Sequence, residues 1–353
     1  MKIVAVLTVR NEAAFLLEWL AHHLAAGIGH FVVLSNDCED GTDAMLDRLT
    51  GTGWLTHIRN DGPYAKSGIQ FTGLRLADDC EAVQTADWLI ALDIDEFVNV
   101  HVGDHTLQAL IQTIPEATAI ALTWRLFGNA DRIRYEDRPV TETFTHAAPE
   151  ILAWPWRAAM FKTLYRNDGT YRQLGVHRPR GPRKARLAES RWFDCLGNEL
   201  DEGFKTRRIF SNYGRPLYRF AQINHYALGA MESFILKSDR GRAVHADQPL
   251  GVDYWVERNF NTQIDTTIAA LAPTSAKLRA QLHADPVLGE LHKQAVAWRK
   301  ERFDQLMLRE PMRALFGRLL MTPPARLLPA RSAKMLIDYA NRAREENRQE
   351  EEQ

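Results

Sequence analysis

Over residues 3–124 the chain alternates short β-branched runs with segments of helical periodicity. That alternation restricts it to βαβ units wound around a mainly parallel sheet. Ile3–Val9 reads as the first strand, and 12–26 as a helix with Leu16, Leu17, Leu20 and Leu24 on one face, ended by Gly27 and Gly29. Strands follow at 31–35, 54–58, Trp88–Leu92 and 119–124, with helices at 42–49 and 68–86 between them. After residue 124 the pattern loosens into a stretch rich in Arg, Gly and Pro. Beyond Met231 it turns helical, with helices expected near 231–244, 254–271, 275–283 and 287–308 and a charged, solvated Glu-rich end. The expected organisation is a first domain over 1–245 and a helical C-terminal region over 246–353.

Composition narrows the function. At 353 residues, with 45% apolar and 25% charged residues, the chain matches a soluble globular protein with a sizeable core. A net charge of -1 gives no global attraction to nucleic acid, so any anion site must be local. Cys38, Cys80 and Cys195 are too few and too far apart for a disulfide framework or a zinc site, which points to a reducing, cytoplasmic setting. No stretch approaches the roughly 20 apolar residues of a membrane span. The apolar run at the N-terminus meets Arg10, Asn11 and Glu12 before any cleavage-like site, so it reads as a buried strand and not a signal peptide.

Ligands of open α/β sheets bind beyond the carboxyl ends of the strands. Three polar clusters fall there: Arg10-Asn11-Glu12, the run from Asn36 to Thr42, and Asp93-Ile94-Asp95-Glu96. Asp93 and Asp95, two residues apart at the end of an apolar strand, can turn hard oxygen ligands towards one divalent cation. Such an ion neutralises charge on a departing diphosphate. The plainer alternative is that Asp93 caps a helix while Asp95 and Glu96 are solvated. Lys237 and Arg240, three apart on a helix, share a face and can reach one anionic group.

The segments VRNEAAFLLEWLAHH, LSNDCEDGT and ADWLIALDIDEFV resemble the glycosyltransferase family 2 superfamily, in particular the branch related to family 92. The resemblance runs over about residues 1–245 and includes Asn224-His225-Tyr226 followed by Glu232-Ser233-Phe234 and Lys237. It implies a GT-A-like fold, a nucleotide-sugar donor and a divalent metal, Mn²⁺ or Mg²⁺. By the resemblance Asp93 and Asp95 hold the metal with His225 as a third ligand, and a neutral imidazole there favours Mn²⁺. Arg10, Asn11 and Glu12 lie near the nucleotide, although Asn11 and Glu12 also suit a helix start.

The second cluster departs from the superfamily's DDGSxD pattern, which places Ser35 or Asn36 where an aspartate would face the base and leaves uridine preference open. Asp37 and Asp40 are candidates for base or ribose contacts, or for Asx turns. Glu232 is the candidate general base, alongside Asp95 as a catalytic residue, with Asp194, Glu199 and Asp201 as competitors. Trp124 and Phe127, in a W..FG-like segment, and His177 are candidates for the sugar or acceptor pocket. Arg183, Lys184 and Arg186 read as a solvated loop.

The expected function is inverting sugar transfer to a glycan or glycolipid acceptor in bacterial-type surface polysaccharide or glycoconjugate synthesis. Residues 311–336 mix leucines with arginines, as a helix packed on its own protein does, or a surface resting on the inner face of a membrane. Among alternatives, a haloacid-dehalogenase-like phosphatase fails because Phe97 stands where a Thr or Val is needed. No Gly-rich phosphate loop supports a nucleotidyltransferase, and a non-catalytic carbohydrate-binding scaffold is disfavoured by intact acids at both DxD positions.

Overall fold

The computed structural model describes residues 1–64, 68–212, 214–241 and 250–351. Its strands are β1 (Ile3–Val9), β2 (His30–Ser35), β3 (Leu55–Arg59), β4 (Trp88–Leu92), β5 (Glu96–Val100), β6 (Ala119–Leu126), β7 (His146–Ala147), β8 (Phe161–Arg166), β9 (Tyr171–Gln173), β10 (Arg180–Pro182), β11 (Trp192–Asp194), β12 (Ala221–His225) and β13 (Gln263–Ile264). The main sheet has the order β3-β2-β1-β4-β8-β6-β12-β5, with β11 beside β6. Strands β3, β2, β1 and β4 run parallel, as βαβ units require. β8 then lies antiparallel between β4 and β6, while β12 runs parallel to β6 and antiparallel to β5.

Alternation along β1 divides the core. Ile3, Ala5, Leu7 and Val9 face Leu16, Leu17, Trp19 and Leu20 of the Ala13–Ala25 helix, whereas Val4 and Val6 face Leu74 and Ala77 of the Ile69–Asp78 helix. Each fully buried leucine contributes roughly 1.5–3 kcal/mol. A third cluster joins Phe234 and Ile235 of the Met231–Arg240 helix to Trp255, Leu306, Leu315 and Leu319. With one face so anchored, that helix turns Lys237 and Arg240 towards the sheet.

Several expected elements change. The helix expected over 68–86 breaks at Asp79 and Cys80 into Ile69–Asp78 and Glu81–Gln84. The one expected over 254–271 is a short helix Val252–Val256, strand β13 and a 3-10 turn Thr267–Leu271. There Asn259 and Asn261 instead accept the backbone N–H groups of Asn129 and Ala130 (2.9 and 3.2 Å). The helix from Met231 stops at Gly241, whose φ of 78° leaves the helical region. The expected end of that helix at Val244, and the boundary between 245 and 246, lie outside the described residues. The segment 311–336 is a helix Glu310–Met321, a stretch without regular secondary structure and the start of a second helix. Leu315 and Leu319 are buried in the third cluster, while Leu320, Met321, Leu327 and Leu328 are exposed. No helix among the described residues is long and apolar enough to cross a membrane.

Candidate functional site

The loops leaving β1, β2 and β4 meet at one cleft, lined among others by Arg10, Glu12, Asn36, Asp93, Asp95 and His225. Two of the residues just past strands hold left-handed backbone, Asn11 at φ 55° and Asp37 at φ 48°, a conformation that Asn and Asp tolerate better than other non-glycine residues. Asn11 is fixed there by accepting the Glu39 N–H (2.7 Å). The Ala13–Ala25 helix starts on Asp40, which accepts the Ala13 N–H (2.9 Å) and also holds Thr42. Asp40 is therefore a structural tie and not a nucleotide contact. Asp37 is exposed, bonded to Asn36 (3.1 Å) and Tyr64 (3.0 Å), and does not line the cleft; Asn36 does.

Asp93-Ile94-Asp95 forms the turn between β4 and β5 and carries a charge cluster. Asp93 Oδ2 pairs with Lys162 (2.8 Å) and Oδ1 accepts from Gln70 (3.0 Å). Asp95 Oδ2 pairs with Lys237 (2.6 Å) and stands 3.7 Å from His225 Nε2. Burial disfavours charge on Asp95, but Lys237 and His225 outweigh it and hold the carboxyl well below its ordinary 3.8. Glu96, wholly buried, accepts the Asp93 N–H (2.9 Å) and lies 3.2 Å from Lys162. Burial drives its carboxyl up to about 8, with Lys162 opposing and Asp93 and Asp95 adding to the rise. Lys162 itself, 1% exposed on β8, is raised to about 12: burial opposes its charge, but Asp93 and Glu96 prevail. Lys162 thus ties both acids, Asp93 at 2.8 Å and Glu96 at 3.2 Å.

Trp124 is flanked by His225 (ring centroids 4.1 Å apart) and His177 (5.5 Å), and all three line the cleft. Burial lowers the pKa of both imidazoles, that of His177 to about 4, so both are neutral at pH 7. A divalent ion fits part of this set. Asp95 Oδ2 and His225 Nε2 are spaced as two ligands at bonds of about 2.0–2.2 Å can be. His225 Nδ1 has no partner. Among the described residues, however, no three such side chains already converge.

Lys237 and Arg240 do share one face and both reach the cleft, yet they are tied to protein acids: Lys237 to Asp95, and Arg240 to Glu12 and to the Arg10 carbonyl. Glu232 lines neither this cleft nor the adjoining cavity. Its carboxylate accepts the Tyr135 N–H (2.8 Å), so it anchors the 132–135 loop instead of facing an acceptor. Phe127 is a core residue, 1% exposed against Tyr226. Among the competing acids, Asp194 holds the Leu196 and Asn198 N–H groups, Glu199 pairs with Arg191, and Asp201 caps the Glu202–Thr206 helix.

Lys162 and Gln70, which grip Asp93, escaped the sequence reading. The one signal was a lysine inside the apolar run from Met160 to Tyr165, where a buried charge demands a partner.

The model of Glycosyltransferase family 92 matches residues 3–185, more than half of the chain. A family 92 protein of Oryza sativa subsp. japonica is 29% identical over 150 residues, 40% of this chain and 24% of that protein. One of Ricinus communis is 25% identical over 121 residues, 31% of this chain and 20% of that protein. The match thus spans a quarter or less of these relatives' length. Among solved structures, S. aureus TarS 1-349 is 14% identical with a TM-score of 0.34 over 89% of this chain and 83% of that one. The same protein with UDP-GlcNAc is 17% identical with a TM-score of 0.30 over 47% and 46%. Strand order and the family match, taken together, identify the architecture as a GT-A-like α/β sheet flanked by helices, and the chain belongs to glycosyltransferase family 92.

Proposed function

We propose that the protein transfers a sugar from a nucleotide-sugar donor to a carbohydrate or glycolipid acceptor at the cleft beyond β1, β2 and β4. One observation carries the reading: Asp93 and Asp95 both line that cleft, each held by its own lysine. Arg10, Asn11, Glu12 and Asn36 are the donor-side residues, and Trp124 offers an aromatic wall that suits a sugar face. Lys237 and Arg240 sit where a diphosphate needs cations, and they exchange their present acids for phosphate oxygens when the donor binds.

In the same proposal a divalent ion, Mn²⁺ or Mg²⁺, is held by Asp95, His225 and Asp93. When bound it stabilises the charge on the leaving nucleoside diphosphate. The protein's part is to fix Asp93 in place through Lys162 and to keep His225 neutral through burial. Inversion at the anomeric carbon and a surface-polysaccharide or glycoconjugate acceptor follow from the family resemblance. The exposed leucines and arginines of 311–336 suit contact with the inner face of a membrane.

The binding test is thermal unfolding with UDP, GDP and CMP, each with and without Mn²⁺. One nucleotide raises the midpoint more with the ion than without it, and Asp95→Asn removes the ion's contribution. A midpoint indifferent to every nucleotide overturns the proposal.

A further inference from the structure

A second cavity adjoins the cleft, shares Asp95, Lys237 and Arg240 with it, and extends to Phe15, Tyr135 and Arg299. Arg299, on the Pro286–Met307 helix, is 5% exposed. Its guanidinium carbon lies 4.5 Å from the centroid of the Phe15 ring and 4.8 Å from that of Tyr135. Aromatic faces hold a planar cation but leave its N–H edge without an acceptor. Nothing protein-borne fills that edge: among the described residues Arg299 makes no hydrogen bond or ion pair, and its Nε is buried unsatisfied.

Of the acids lining the cavity, Glu12 pairs with Arg240, Asp95 with Lys237, Asp239 with Arg302 and Arg309, and Glu136 with Arg132 and Arg138, while Glu39 is exposed to solvent and makes no ion pair with Arg299. An unpaired buried charge is expensive, and burial accordingly lowers the Arg299 pKa. A fold retains such a group where a ligand supplies the countercharge.

We propose that this cavity binds an anionic group, phosphate or carboxylate, carried by the acceptor, with Arg299 as its bidentate partner. The assignment to the acceptor rests on the transferase reading. Because the cavity and the donor cleft share the Asp95–Lys237 wall, a molecule anchored on Arg299 has its other end where the sugar is released. The predicted acceptor is therefore acidic, either phosphorylated or uronate-bearing.

The experiment measures thermal unfolding of the full chain, without donor or metal, against inorganic phosphate, glucuronate and glucose. Phosphate or glucuronate gives a saturable rise in the midpoint, and glucose gives none. A response to phosphate alone assigns a phosphorylated acceptor, and one to glucuronate alone a uronate. Arg299→Met weakens that apparent affinity roughly tenfold to hundredfold, while its ligand-free midpoint stays level or rises because an unpaired charge is gone. Arg299→Lys, which keeps the charge but loses the planar fork, folds and responds more weakly than wild type.

The proposal is overturned by a wild type silent to both anions, or by an anion response that survives Arg299→Met, which marks an adventitious ion only or the donor cleft. A large fall in the ligand-free midpoint of Arg299→Met also overturns it, since that shows a purely structural stack. Since no nucleotide enters the assay, its failure leaves the donor-site reading standing.

Discussion

The paired histidines of the Ala13–Ala25 helix should set the acid limit of this fold. His22 is 3% exposed with Nε2 2.7 Å from the Val98 carbonyl, and His23 is wholly buried with Nδ1 2.8 Å from the Trp19 carbonyl. The Val98 N–H points at His23 Nε2 (3.2 Å), so that nitrogen must accept and a second proton there would face another donor. Burial lowers His22 from 6.5 to about 4 against the Val98 bond. His23 falls well below 6.5 through burial and the charge of His22.

With native pKa values depressed, the unfolded chain takes up protons below pH 6.5 that the native protein refuses. Stability is complete above 6.5 and declines as the pH falls, at about 1.4 kcal/mol per pH unit for each histidine. For His22, taken down to about 4, the loss is at most roughly 3 kcal/mol. His22→Gln keeps an N–H for the Val98 carbonyl but does not titrate. Urea unfolding of wild type and variant at pH 7, 5.5 and 4.5 tests this: the variant should gain on the wild type by about 1.4 kcal/mol per pH unit. A difference between them that is independent of pH refutes the argument.

Other consequences are equally specific. Lys162→Met strands Asp93; because that carboxylate is a third exposed and can resolvate, the expected loss is about 1–3 kcal/mol, read by urea unfolding, and a neutral effect shows the pair to be ornamental. In co-sedimentation with phosphatidylglycerol vesicles, the 311–336 surface should bind and release as salt rises. Equal recovery from neutral and anionic vesicles dismisses the membrane proposal.

The parallel half of the sheet was legible because β1, β2 and β4 are apolar on both faces and separated by helices. Ile3–Val9 and Trp88–Leu92 were read with their observed bounds, and the strand-end rule led from them to Arg10, Asp93 and Asp95. The other half was not. In β12, AQINH alternates, but its polar positions do not face solvent: Gln222 and Asn224 are buried, bonded to Asp265 and Asn99 in distant segments, so nothing in the sequence marks a fully buried strand. Strand β8 hides behind Lys162 in the same way. Around 254–271 the apolar spacing imitates a helix, but the long-range bonds of Asn259 and Asn261 outweigh it. Glu232 looked catalytic from its neighbours in sequence, while the Tyr135 N–H it accepts is 97 residues away. Whatever depended on such partners lay beyond reach of the sequence.

The decisive experiment is turnover. Wild type and Asp95→Asn, shown to be equally folded by circular dichroism, are incubated with UDP- and GDP-sugars and Mn²⁺ while release of nucleoside diphosphate is followed. We predict slow release from one sugar nucleotide by the wild type and a drop of about a hundredfold or more in the variant, as loss of one preorganised charge stabiliser brings. Release that continues undiminished in Asp95→Asn would contradict a transferase built on this acidic turn.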